Sequence, residues 1–202
     1  MATRPSRPTM AARYDRKRRE VVDAAAQAFA QRGYHATSID DLVDATGLAR
    51  GGLYHYIGSK QALLIEVFDV LMAPLLDRAR EIAGAGGPAE ERLRLLVRVW
   101  MAHVDSHRAH MAVFTQERRT LERTPEWERV RADRREFEAI LGAILEEGVA
   151  SGELVIADVA LAKLAITGMV NSTPQWFDPE RRLSAEQVAD GFCDLLLRGI
   201  RV

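Results

Sequence analysis

Apolar residues recur at helical spacing through every long segment of this chain, and nowhere do they alternate with the period of two that a half-buried strand requires. An all-α protein of about nine helices is therefore expected, covering roughly 16–32, a short piece after Thr37-Ser38, 49–56, 60–83, 89–105, 108–120, 126–150, 157–171 and 184–199. Gly33 is placed to close the first helix in a left-handed turn, and Gly47 breaks the second. Thr37-Ser38 is a natural cap for the second, Ser59 for the fourth and Asp158 for the eighth. Ser184 and Gln187 have the spacing of a reciprocal capping box. Asp40 and Asp41 lie in a first turn, where negative charge suits the helix dipole. Pro74 falls inside the fourth segment and is expected to kink or end it.

A chain of 202 residues can bury a core and hold a small module beside a larger one. With 48% hydrophobic and 28% charged residues it has the composition of a soluble globular protein. No apolar run reaches the ~20 residues of a bilayer span, and no apolar segment follows the basic start as in a secretory signal. Cys193 is the single cysteine, so no intramolecular disulfide forms and a reducing cytoplasm is the expected compartment. The net charge of −1 hides an asymmetry. Residues 1–60 carry ten Lys/Arg against six Asp/Glu, whereas residues 61–202 carry 18 against 23. A basic leading segment on an acidic body suits a protein that meets a polyanion at one end, although a solvated tail has the same composition.

Residues 37–60 read TSIDDLVDATGLARGGLYHYIGSK. Two short helices about a tight glycine turn, with a supporting helix before them, describe a helix-turn-helix DNA reader over 14–60, residues 1–13 being a basic flexible arm. The second short helix presents its front to base edges. Arg50 is the one long side chain there, suited to bidentate contact with guanine N7 and O6. Gly51 and Gly52 each cost about 1 kcal/mol relative to alanine in a helix, but their bare surface lets the backbone approach a groove. Leu53 points to the core, while Tyr54, His55 and Tyr56 offer donors to phosphate. Lys60 adds its charge to the exposed N–H groups opening the next helix. Helix pairs about a glycine turn also occur in proteins that bind no DNA, so this geometry alone leaves both readings open.

The residues themselves go further. The Thr/Ser pair, the acidic residue before an aliphatic pair, the Ala-x-Gly turn, Gly-x-Leu-Tyr and Ser-Lys resemble the signature of the TetR family of transcriptional repressors. The preceding AAAQAFAQRGYHAT is similar to that family's first helix with its Arg-Gly-Tyr exit, so the resemblance covers about residues 14–68. It departs at Ile57, where the family usually has Phe, and at Leu42-Val43, which replaces Ile-Ala; both are apolar exchanges. The resemblance implies phosphate contacts from Thr37, Ser38, Tyr54, His55 and Lys60, and base-facing positions for Arg50, Gly51 and Gly52. It also implies a homodimer on a palindromic operator, paired through helices 157–171 and 184–199 as a four-helix bundle. The apolar faces of those helices (Leu161, Leu164, Ala165, Met169; Val188, Phe192, Leu195, Leu196) would otherwise close the monomer core.

Residues 61–202 are then expected to form a ligand-binding and dimerisation domain. Trp100, Met101, His103, His107, Met111, Phe114, Phe137, Met169, Asn171 and Trp176 offer an apolar lining with a few polar groups, the make-up of a pocket between helices. Each alone fits a core equally well. Residues 95–120 and STPQWFDPERRLSAEQVA resemble the branch of the family that controls fatty-acid or sterol breakdown, which implies an acyl-CoA thioester or a similarly bulky carboxylate derivative as effector. His103, His107 and His110 share a face if their helix is continuous, a spacing that metal ligation uses. Asp105-Ser106 reads as a helix boundary, however, and no metal or cofactor is expected. There is no nucleophile elbow, P-loop, dinucleotide fingerprint or metalloprotease helix, so an enzyme is not expected. The rival reading is a helical ligand-binding or interaction protein without sequence-specific DNA binding.

Overall fold

Small polar residues and glycines set where several of the helices start or stop. The computed structural model describes residues 9–121, 127–178, 180 and 182–198. Among them are nine α-helices: α1 (Met10–Arg32), α2 (Ile39–Thr46), α3 (Arg50–Ile57), α4 (Lys60–Gly84), α5 (Ala89–Ser106), α6 (Arg108–Leu121), α7 (Glu128–Ser151), α8 (Val159–Ser172) and α9 (Ala185–Arg198). A 3-10 turn at Thr173–Gln175 follows α8. At the start of α2 the Asp41 N–H donates to the Ser38 hydroxyl at 3.1 Å, and the Ser38 N–H donates back to the Asp41 carboxylate at 2.8 Å. Gly47 then closes the helix in the left-handed region, at φ 65°. Ser59 and Asp158 cap α4 and α8 through Ala62 and Leu161, and Ser184 and Gln187 exchange the two bonds of a capping box.

Two expectations are corrected. Helix α1 begins at Met10, capped by the Thr9 hydroxyl, so residues 10–13 are helix rather than flexible arm. The rest of the arm, with Arg4 and Arg7, lies outside the described residues. Pro74 does not end α4, a single helix of 25 residues that continues past it to Gly84. A proline inside a helix costs about 3 kcal/mol or more through its missing N–H and its clash. Here Pro74 is on the exposed side, and Leu71, Met72, Leu75 and Leu76 are buried on either side of it. Each large apolar side chain so buried contributes about 1.5–3 kcal/mol, which outweighs the proline.

Val21, Val22, Ala25, Ala26 and Phe29 make the buried stripe of α1, against which α2, α3 and the front of α4 pack. Leu42, Leu53 and Ile57 complete this small core, so the two family departures with fully enclosed side chains sit in packing positions. Helix α4 continues into the larger part, where it packs on α5 and α7, and α6 lies across α1. Helix α9 runs along α5, clipped by Arg98 to Asp190 (2.6 and 2.9 Å) and Arg94 to Asp194 (2.8 Å). Helix α8 rests on α7 and leaves Leu161 and Leu164 64% and 67% exposed. No helix of the described residues is long and apolar enough to cross a membrane.

Among the described glycines the most tightly enclosed is Gly148 in α7, where the chain folds back after Gly152. A Cβ built there would lie 2.5 Å from Leu154 Cδ1 and 2.9 Å from Ala89 Cβ. G148A is therefore expected to destabilise the protein by about 1–3 kcal/mol despite its better helix propensity. Denaturant unfolding of the two proteins checks the sign.

Candidate nucleic-acid interface and ligand cavity

The front of α3 is bare. Neither Gly51 nor Gly52 has any neighbour that a Cβ would strike: nothing lies within 4 Å of the first, and only Leu48 Cβ, at 4.0 Å, near the second. Arg50, at the head of the helix, is exposed and donates from Nη2 to Asp40 Oδ1 at 2.6 Å. Leu53 and Ile57 are the buried side of the helix, and Tyr54 and His55 the exposed side. Tyr56 is half-buried, its ring 5.0 Å from that of Tyr14, whose hydroxyl donates to the His55 carbonyl at 3.4 Å. The basic start of α1 thus leans on the reader helix.

Where the reader meets the larger part, a buried carboxylate bridges the two. Glu117 of α6 accepts the Tyr34 backbone N–H at 3.3 Å and lies 3.7 Å from His35 Nε2. Lys60 stacks its ammonium over the Tyr34 ring, 4.4 Å from the centroid, and burial holds its pKa below the ordinary lysine range. Two turns back along α6, buried His110 faces Asp23 of α1 at 3.3 Å, and burial lowers its pKa.

Between α4, α5, α6, α7 and α8 is a narrow cavity of about 40 Å³. Leu71, Met72, Leu75, Trp100, Val104, Met111, Phe114 and Phe137 give it apolar walls, with Trp100 and Phe137 edge to face at 4.7 Å. Its polar groups are His103, Arg134, Glu138, Thr167 and Asn171. Burial and the stacked His107 ring push His103 down to about 4, so it is neutral, and its Nε2–H donates to the Leu71 carbonyl at 2.7 Å. Arg134 and Glu138 pair across one turn of α7 at 3.3 Å. Met111, Phe114, Thr167 and Asn171 also border a wider groove between α6 and α8, edged by Gln116, Leu164, Ser172 and Gln175.

A bare-fronted short helix set against a long helix that walls a cavity is the layout of a DNA reader on a ligand-binding body. Comparison with known proteins agrees. Residues 21–67 match the family described as bacterial regulatory proteins, tetR family, and residues 86–200 match the tetracyclin repressor-like C-terminal domain. The chain belongs to the TetR family. It is 30% identical to the HTH-type transcriptional repressor KstR2 of Mycolicibacterium smegmatis over 91% of this chain and 90% of that one. Among solved structures, the TetR family transcriptional regulator PfmR from Thermus thermophilus superposes with a TM-score of 0.83 at 32% identity, covering 90% of this chain and 99% of that one. AibR in complex with isovaleryl coenzyme A and operator DNA has a TM-score of 0.80 at 25% identity, over 90% and 98% of the two chains.

In this TetR-family chain the expected site residues divide. Ser38, Arg50, Gly51, Gly52, Tyr54, His55 and Lys60 cluster at the reader end, but Thr37 is turned inward, 1% exposed, its hydroxyl bonded to the Gly33 carbonyl at 2.8 Å. So enclosed, Thr37 holds the turn rather than offering a phosphate contact. Trp100, His103, Met111, Phe114, Phe137 and Asn171 line the cavity. Met101 does not; it follows Trp100 by one residue, a rotation of about 100° on a helix, and is wholly enclosed in the core. Met169 lies midway between cavity-lining Thr167 and Asn171 and so faces away from them. His107 sits between α5 and α6 in a surface groove with Asp23 and Arg108, and Trp176 is half exposed beside Phe192. Among the described residues no group of three His, Cys, Asp or Glu side chains is arranged to hold a metal ion. Sequence reading missed Leu71, Met72, Leu75, Arg134, Glu138 and Thr167, because periodicity marks a buried face without saying which helices leave a gap.

Since the two reader glycines meet nothing, the fold does not require them. G51A and G52A are each expected to stabilise the protein by about 0.5–1 kcal/mol, read as a rise of about 1–4 °C in Tm.

Proposed function

We propose that this protein is a ligand-responsive transcriptional repressor that holds palindromic operator DNA as a homodimer and releases it when an acyl-CoA thioester enters the cavity. The observation that carries the reading is the unobstructed front of α3, where two glycines give up helix stability to leave backbone exposed beside Arg50. Ser38, Tyr54, His55 and Lys60 surround that front as phosphate donors, Tyr56 adds a hydroxyl at its edge, and the basic start of α1 extends it. The dimer forms through α8 and α9, whose Leu161, Leu164 and Leu195 lie exposed on a monomer. The narrow apolar cavity shares Met111, Phe114, Thr167 and Asn171 with the wider groove between α6 and α8, and the two together, opened by the ligand, suit an acyl chain joined to a polar carrier; AibR was crystallised with such a thioester. These groups act in recognition, not catalysis, and the protein works in the cytoplasm, where operator DNA is.

Release is linkage between two sites. The effector binds better to a state whose readers no longer match successive major grooves, about 34–36 Å apart. Two walls of the cavity lead to the reader. Helix α4 contributes Leu71, Met72 and Leu75 and starts at Lys60; helix α6 contributes Met111 and Phe114 and carries Glu117 to the Tyr34 turn. Movement of either wall shifts the turn that supports α2.

Selection from random duplexes tests the reading. The protein is expected to enrich a palindrome, to bind it more weakly as salt rises, and to lose it when acyl-CoA thioesters are added. Failure to bind any duplex in dilute buffer overturns the proposal. In the same assay G51A and G52A lose about tenfold or more in affinity for the selected site while remaining folded, a loss of the order of one good base contact. E117Q keeps effector binding but cuts the ratio of effector affinities measured without and with operator, from about 5–150-fold, the ordinary allosteric range, to a few-fold.

A further inference from the structure

Asp40 has no evident duty in holding the fold. Its neighbour Asp41 closes the capping box with Ser38 and pairs with Arg32. Asp40 instead stands in solvent, its side chain 75% exposed, with Oδ1 2.6 Å from Arg50 Nη2. An exposed ion pair contributes about 0–1 kcal/mol to stability, and a carboxylate in a first helical turn a similar amount. Asp40 shares the second of these with Asp41. On a surface that meets phosphates, moreover, Asp40 is a like charge that weakens every backbone contact around it.

Its position beside Arg50 gives that charge a use. A guanidinium has five N–H donors in a planar fork and about 2 kcal/mol of rotamer entropy to lose on being fixed. Left alone at the head of α3, Arg50 would settle on the nearest phosphate, a contact that carries no sequence information. The carboxylate occupies one Nη2 donor, restricts the fork and offsets the charge a phosphate would seek. Other donors of the fork remain for the N7 and O6 of a guanine. With Gly51 and Gly52 next in line, no side chain stands between the pair and a groove floor.

We propose that Asp40 is a specificity-determining residue: it orients Arg50 toward a guanine edge and keeps it off the DNA backbone. The inference rests on the DNA-binding reading above. The test selects from random duplexes with the wild type, D40N, R50A and the double variant, then measures affinity for the selected site, for the same site with the guanine replaced, and for an unrelated duplex.

The expected result is opposite movement of two quantities. D40N binds the unrelated duplex several-fold more tightly, because a like charge is gone, while its preference for guanine falls about tenfold, within the range of one bidentate base contact. R50A loses the same preference, and the double variant loses no more than R50A alone. The Tm of D40N stays within about 2 °C of wild type, as a surface pair implies. Equal gains on specific and unrelated DNA, with the guanine preference intact, would make Asp40 a bystander charge and overturn the inference. So would an R50A variant that discriminates as the wild type does. A wild type that enriches no sequence overturns the DNA-binding reading itself, and this inference with it.

Discussion

Helices of eight residues do not hold themselves in water, and everything in this molecule follows from where α2 and α3 find support. Their own propensities are poor, with two glycines in α3 and a β-branched residue at each end of α2. What fixes them is burial of Leu42, Leu53 and Ile57 against the stripe from Val21 to Phe29 and the first turns of α4. Because α1 and α4 also pack against the larger part, the reader is no separate bead on a linker. Its core and the core around the cavity are one connected body of apolar side chains.

That continuity is what makes regulation physically reasonable. Two separately cored units joined by a flexible segment would feel little of each other's ligands. Here α4 runs without interruption from the Lys60–Tyr34 contact to the cavity wall, and α6 meets the same turn through a buried carboxylate. A polar contact enclosed in low dielectric is expensive to break and sensitive to position. Glu117 therefore serves better as a strut than an apolar side chain, which tolerates sliding.

Much of the fold was legible in the sequence because helix ends are chemically marked. Ser38, Ser59, Asp158 and Ser184 cap where their spacing indicated, and Gly33, Gly47 and Gly152 stop helices at positive φ. The helix-turn-helix was also legible, since its cap residues and glycine turn lie in the sequence and residues 21–67 match the tetR family. Pro74 does not end α4, because local propensity is opposed by the burial of four large side chains around it. The cavity was half legible. Residues on the right helices could be named, yet Met101 and Met169 fell on the wrong sides of theirs, and Arg134 and Thr167 carried no composition signal. A gap between helices is a property of how they are stacked, which periodicity along one helix does not encode.

Pro74 has one more effect. Having no N–H, it leaves α4 one rung short between residues 70 and 74, level with Leu71 and Leu75 on the cavity wall. A rod lacking a rung has its lowest bending stiffness there. Any flexure of α4 would therefore concentrate beside the cavity wall, and the segment from Lys60 to Asp69 would swing as the stiffer arm, so that a small bend at the cavity would become a larger sweep at the start of the helix.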